Sequence, residues 1–261
     1  MAISVPWPAV VAATLTVFVA GATNGLAGFG FAVVGTMALA TAVDPAAAVV
    51  FMIVPIFAVN LSLVRDLSPE ELRTCSRRFA PLIGAALVGT VLGMVVLDSA
   101  PSGPLRIGLG LLTLGFVATA QRFVPFRSLG DGRRGAVVRS RPGMVGVGGV
   151  SGVLFGGTNV GVQLIAYLRS FDLSHGLFVG VVALVFLVLN GIRVVVAGAF
   201  GLYPSVSVAV ASVLAAAPAV AGVAVGKRLR TAADERARRG VVLSLLTVVG
   251  VRLVAGGIGV V

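Results

Sequence analysis

The positive charge of this chain is confined to a few places. No Lys or Arg precedes Arg65, and most of the twenty then fall in three short polar stretches, 65–78, 122–141 and 227–239. Long apolar runs separate them. Membrane proteins keep such basic loops on the cytoplasmic side. With all three loops inside, the number of crossings between each pair must be even, and that parity draws most of a topology.

Composition supports a membrane setting. The 261 residues are 58% hydrophobic and only 11% charged, with a mean hydropathy of +1.09. A soluble domain carries roughly 25% charge, so this chain cannot cover a water-exposed surface of ordinary size. The reading is one polytopic domain in the cell membrane. The net charge of +11 lies beside the spans, where cytoplasmic retention and anionic lipid account for it. Lipid is therefore an expected partner and nucleic acid is not; a homo-oligomer stays open. Cys75 is the one Cys and His175 the one His, which excludes an intrachain disulfide and a Cys-based metal cluster. Asp44, Asp98 and Asp172 all fall at turns, so a carboxylate proton relay or metal site has no ligands inside a span. No Walker motif is present. The chain offers no catalytic group, cofactor site or metal site, and is not read as an enzyme.

Along the chain, the apolar run 9–43 is too long for one straight helix across a core of ~30 Å, which takes about 20 residues. Thr23-Asn24-Gly25 and Gly28-Phe29-Gly30 are its expected breaks. Asp44-Pro45 caps the next helix, which runs to about 64. Ser68-Pro69-Glu70-Glu71 starts a short amphipathic surface helix, with Cys75 in the polar stretch around it. Spans follow at 79–97 and 105–120, then a basic linker at about 122–142. The run 143–168 is expected to break at Gly156-Gly157-Thr158-Asn159. The last spans are 177–197, 206–226 and 240–260.

The same order occurs twice: a Gly-broken segment, a turn with Asp44 or Asp172, then three spans, with Asn60 and Asn190 late in the first of them. If the broken run from 143 returns as a re-entrant hairpin, every basic loop stays inside. The expected fold is therefore all-α, with two inverted repeats at about 1–121 and 143–261. Each has a Gly-broken hairpin plus three transmembrane helices, and both termini lie outside. Inverted repeats are a common plan for secondary transporters. The alternative is that each broken run forms short or kinked full spans.

Non-helical backbone at membrane depth survives where it is buried in protein or lines a cavity, and helix N-termini there attract anions. Gly25, Gly28, Gly30, Gly156 and Gly157 are therefore substrate-site candidates, with Asn24, Thr158 and Asn159 as side-chain donors. The competing reading is close helix packing through small residues, which is expected for Gly35, Gly84, Gly89 and Gly93. Asn60, Asn190 and Gln163 either bind substrate or hydrogen-bond in the core. Arg193 and Arg106, near span ends, can snorkel to the interface, while Arg193 or Arg252 can raise the local positive potential. Arg252 lies deeper, where a lipid-facing charge costs several kcal/mol.

Asn24-Gly25-Leu26-Ala27-Gly28-Phe29-Gly30 resembles the glycine-rich signature of the TauE/SafE sulfite exporter family, the TSUP permeases. Gly152-Val153-Leu154-Phe155-Gly156-Gly157-Thr158-Asn159 is similar to its counterpart in the second half. Phe29 separates Gly28 from Gly30 where a Gly-Gly pair is commoner in the family. The resemblance implies transport of a small sulfur-containing anion such as sulfite, thiosulfate or an organosulfonate. The sequence reading is a secondary permease working by alternating access, with the two broken segments approaching each other. The alternative is a structural or accessory membrane subunit that transports nothing.

Overall fold

A computed structural model describes residues 7–27, 30–65, 67–121, 140–171, 173–229 and 235–259. Every regular element among them is helical: α1 Trp7–Ala27, α2 Phe31–Ala40, α3 Pro45–Phe51, α4 Ile53–Val64, α5 Pro69–Ser99, α6 Ser102–Gln121, α7 Arg141–Thr158, α8 Val162–Arg169, α9 His175–Ala199, α10 Val206–Leu229 and α11 Glu235–Gly257. Among the described residues, four segments are long and apolar enough to cross a membrane: 45–64, 69–99, 177–199 and 206–229. Shorter apolar stretches lie in α1, α2, α6 and α11. The chain is a multi-pass membrane protein.

Local signals explain most helix starts. The Asp44 carboxylate accepts from the Ala46 and Ala47 amides at 3.0 and 3.1 Å, with Pro45 in the first turn of α3. Met52 alone separates α3 from α4, so the expected helix to Val64 is present with one irregular residue. At α5 the Glu71 carboxylate accepts from the Ser68 amide and hydroxyl at 2.9 and 2.8 Å, while the Glu71 amide donates to the Ser68 hydroxyl. This is a capping box with Pro at N1.

The structure corrects the expectation beyond that cap. There is no separate surface helix: α5 continues unbroken through Pro81 to Ser99. Its 31 residues span about 46 Å at 1.5 Å per residue, more than a ~30 Å hydrocarbon core. Cys75 accordingly lies on this helix, buried among Phe79 and Leu82, rather than in a polar loop.

The chain packs as two units. One comprises 1–59, 100–121 and 197–261; the other comprises 60–99 and 122–196. Two of the four boundaries fall inside α4 and α9, and the other two follow the ends of α5 and α6. In the first unit α1 packs along α10 and α6 along α11; in the second α5 packs along α7.

Glycines make two of these pairings close. A Cβ on Gly21 or Gly25 of α1 would lie 2.3 Å from the Ala219 or Val223 carbonyl oxygen of α10, and Gly222 and Gly226 face back in the same way. In the other unit, Gly148, Gly152 and Gly156 of α7 meet the carbonyls of Leu82, Ala86 and Thr90, while Gly89 and Gly93 of α5 meet those of Gly149 and Val153. Spacing by four residues puts these glycines on one helix face. Without side chains there, the backbones approach as small-xxx-small seams do in bilayers. The opposite faces stay apolar: Val88, Leu92 and Val95 of α5 and Val150 of α7 are exposed. Lipid, which has no hydrogen bonds to offer, suits that face.

Gly89 and Gly93 therefore pack as expected, and Gly35 packs against Met52. Gly84 does not: nothing lies within 4 Å of a Cβ placed there, and the residue is exposed.

Candidate functional site

The second unit holds a cluster of buried polar side chains where α7 ends. Helix α7 runs through Gly156 and Gly157 and stops after Thr158, so the break falls at 159–161, not at the expected glycines. The reason lies in the seam. Both glycines pack on α5: a Cβ on Gly156 would lie 2.2 Å from the Thr90 oxygen, and one on Gly157 3.2 Å from the Gly93 oxygen. Packed against a neighbour, a Gly-Gly pair stays helical despite its low propensity.

Asn159 closes α7 in the left-handed conformation, φ 60°. It is the one non-Gly residue with positive φ among those described. Asn tolerates this region better than most side chains. Its amide donates to the Phe155 carbonyl at 2.9 Å. The Thr158 hydroxyl donates back to the Leu154 carbonyl and accepts from the Val160 amide at 3.1 Å. Gln163 donates to the Val160 carbonyl at 3.0 Å. Gly161 then opens α8 with no side chain to cap it, so the first amides of α8 have no partner within their own helix.

Arg193 reaches this break from α9. It is wholly buried, as are Asn159 and Asn190. One guanidinium nitrogen, Nη1, donates to Asn159 Oδ1 and to Asn190 Oδ1, the latter at 3.3 Å. The other, Nη2, donates to the Gly156 carbonyl at 3.3 Å. The Phe155 ring lies 5.1 Å from the guanidinium carbon, within cation–π range. Asn190 is itself held by its amide, which donates to the Phe186 carbonyl at 2.8 Å. The partners named here are neutral, and an Arg side chain does not lose its proton in a protein. The arrangement fixes a positive charge inside the unit, next to a helix N-terminus. Snorkelling is therefore overturned for Arg193.

The structure thus brings Gly156, Asn159, Asn190 and Arg193 together, with Gly157 and Thr158 in the adjoining turn. Asn60 is buried in the same unit. Phe155 was not singled out from the sequence; a Phe within an apolar helix carries no signal of its cationic neighbour.

Asn24, Gly25 and Gly30 belong to the other unit. Helix α1 continues through Thr23-Asn24-Gly25 to Ala27, so no break occurs there. Gly28 lies outside the described residues, as do Phe29 and Asp172. Asn24 accepts from the Phe31 amide at 3.4 Å and so caps α2 across the gap. Gly30, φ 103°, is the N-cap position of α2, a conformation that glycine adopts at no steric cost. Gly25 sits in the α1–α10 seam described above.

The remaining span arginines differ from Arg193. Arg106 donates to the Val43 carbonyl at 3.4 Å, beside a 2.6 Å hydrogen bond from the Ser102 hydroxyl to Asp44. Arg252 is exposed five residues before the end of α11, within reach of an interface by snorkelling. Among the described residues, no group of three or more His, Cys, Asp or Glu is placed to hold a metal.

A protein-family model described as sulfite exporter TauE/SafE matches residues 13–253, all but the ends of the chain. No curated protein and no solved structure matches it.

Proposed function

The chain belongs to the TauE/SafE sulfite exporter family, a family of membrane transporters for sulfite-related anions rather than of enzymes, and from that premise we propose a secondary permease whose anion binds at the α7–α8 break. The observation that carries this reading is Arg193: buried, charged and aimed by Asn159, Asn190 and the Gly156 carbonyl. A buried guanidinium presents a planar fork suited to the oxygens of a small oxyanion. The uncapped start of α8 adds amide donors and a favourable dipole end. Sulfite, thiosulfate and an organosulfonate share the chemistry this centre recognises.

We further propose alternating access between two inverted repeats, 1–121 and 143–261, joined by the linker 122–142. Support comes from the pairing of helices. If α1 corresponds to α7 and α5 to α10, exchange of the repeats turns the α1–α10 pair into the α7–α5 pair, and both are glycine seams. The α6–α11 pair maps onto itself.

The test is flux of labelled sulfite, thiosulfate and methanesulfonate through purified protein in liposomes, compared with Arg193→Gln. Wild type should move at least one of the three, and Arg193→Gln should lower that flux by tenfold or more, the scale of one lost charged hydrogen bond. Equal flux in the two proteins, at matched insertion, removes Arg193 from the site.

A further inference from the structure

Thr90 stands out among the buried hydroxyls. Hydroxyls in apolar helices are normally satisfied by the carbonyl one turn back. Thr16, Thr23, Thr113, Thr158 and Thr247 each donate to the carbonyl four residues earlier. Thr90 on α5 does not. It is fully buried and its Oγ1 has no hydrogen-bond partner. The carbonyl it would use, that of Ala86, is the one against which Gly152 of α7 is pressed, with a Cβ position 2.3 Å away.

Its place in the fold gives this hydroxyl a role. Thr90 stands directly across the seam from Gly156: a Cβ there would lie 3.0 Å from Thr90 Cα. Gly156 is the residue whose carbonyl accepts from Arg193. Thr90 through its backbone and Arg193 through its guanidinium thus both meet one residue of α7, and both residues are wholly buried. Packing alone does not explain a Thr there. Val has nearly the same shape and carries no polar group to leave unsatisfied, and an unsatisfied buried donor is unfavourable.

We propose that the Thr90 hydroxyl is a second side-chain donor to the anion bound at Arg193, and that it selects for oxyanions with at least two acceptor oxygens. One oxygen takes the guanidinium and another the hydroxyl. This rests on the assignment of Arg193 to the substrate site. A hydroxyl can reorient and carries no charge, so it adds discrimination without adding to the cost of the buried cation. A halide of similar size offers no separate oxygens for the two donors.

The experiment compares wild type, Thr90→Val, Thr90→Ser and Arg193→Gln in proteoliposomes. It reads the concentration dependence of sulfite flux, and the melting temperature of each protein in detergent. Thr90→Val should raise the apparent KM about tenfold, the scale of one hydrogen bond to a charged ligand, with no fall in melting temperature. Thr90→Ser should restore most of the affinity. Thr90→Val with wild-type KM overturns the proposal, as does Thr90→Ser as impaired as Thr90→Val, since volume would then be what matters. If Arg193→Gln abolishes flux while Thr90→Val matches wild type, the site stands and only the role of Thr90 falls. If wild type moves no anion, or Arg193→Gln moves it as fast as wild type, the site assignment falls and takes this proposal with it.

Discussion

Gly152→Ala tests the seam that holds the candidate site in shape. An added Cβ would lie 2.3 Å from the Ala86 carbonyl oxygen and 2.8 Å from Ala86 Cα. Non-bonded carbons settle at about 3.5 Å or more, so α5 and α7 must part by roughly 1 Å. Both obstructing atoms are backbone and cannot rotate away. Parting the helices also loosens the neighbouring contacts of Gly148, Gly156, Gly89 and Gly93, which lie 2.1–2.4 Å from carbonyl oxygens by the same measure. Overpacking of this kind costs about 1–3 kcal/mol. Ala also gains up to about 1 kcal/mol of helix propensity over Gly. Gly84→Ala on α5 receives that same gain and meets nothing within 4 Å. The difference between the two variants therefore isolates the seam. Domains of 150–250 residues shift by about 2–4 °C per kcal/mol, so Gly152→Ala should melt several degrees below Gly84→Ala. The assay is thermal unfolding in one detergent, followed by far-UV circular dichroism. A Gly152→Ala midpoint at or above that of Gly84→Ala refutes the reasoning, because the backbones would then have room that the geometry denies them.

Asn159→Gly should keep the left-handed end of α7, which glycine adopts freely, while removing the oxygen that holds Arg193. We expect flux to fall about tenfold with little change in melting temperature; unchanged flux would show that Asn159 does not orient the guanidinium for transport. Asp44→Ala should lower stability by about 1 kcal/mol through loss of the α3 cap. Asp44→Asn should recover most of that, and identical melting curves for Asp44→Ala and wild type would contradict the capping role. If all three basic loops lie inside, as we propose from their charge, both termini are expected outside and the linker inside. In a Cys75→Ala background, a Cys at Ser4 should label from outside and one at Arg133 only from the cytoplasmic side; cytoplasmic labelling of both would overturn the topology.

Features governed by neighbours along the chain were legible in the sequence. The apolar run lengths and the basic stretches place the chain in a membrane, because a bilayer sets a fixed thickness and a charged residue cannot stay in it cheaply. The cap at Asp44 and the start at Ser68-Pro69-Glu70-Glu71 involve residues two or three apart, so their chemistry is local. The glycine-rich signatures carried the family resemblance for the same reason: a short motif is read without knowing what it touches.

Features governed by distant partners were settled only by the tertiary structure. A glycine is permissive, and its role depends on what stands opposite. Gly156 has the Thr90 carbonyl of α5 against it, whereas Gly84, on that same α5, faces open space. The α7–α8 break falls at the last residue of the expected Gly156-Gly157-Thr158-Asn159 stretch rather than at its glycines. Arg193 shows the same dependence with charge. Near the end of an apolar span, it reads from sequence as a side chain that can reach an interface. What decides otherwise is the arrival of Asn159 and the Gly156 carbonyl from 34 and 37 positions away. Burial of a cation is tolerable only where such dipoles converge. No local pattern records that convergence, so the sequence alone determined the apolar runs and the helix caps, and packing decided which arginine is buried among polar partners.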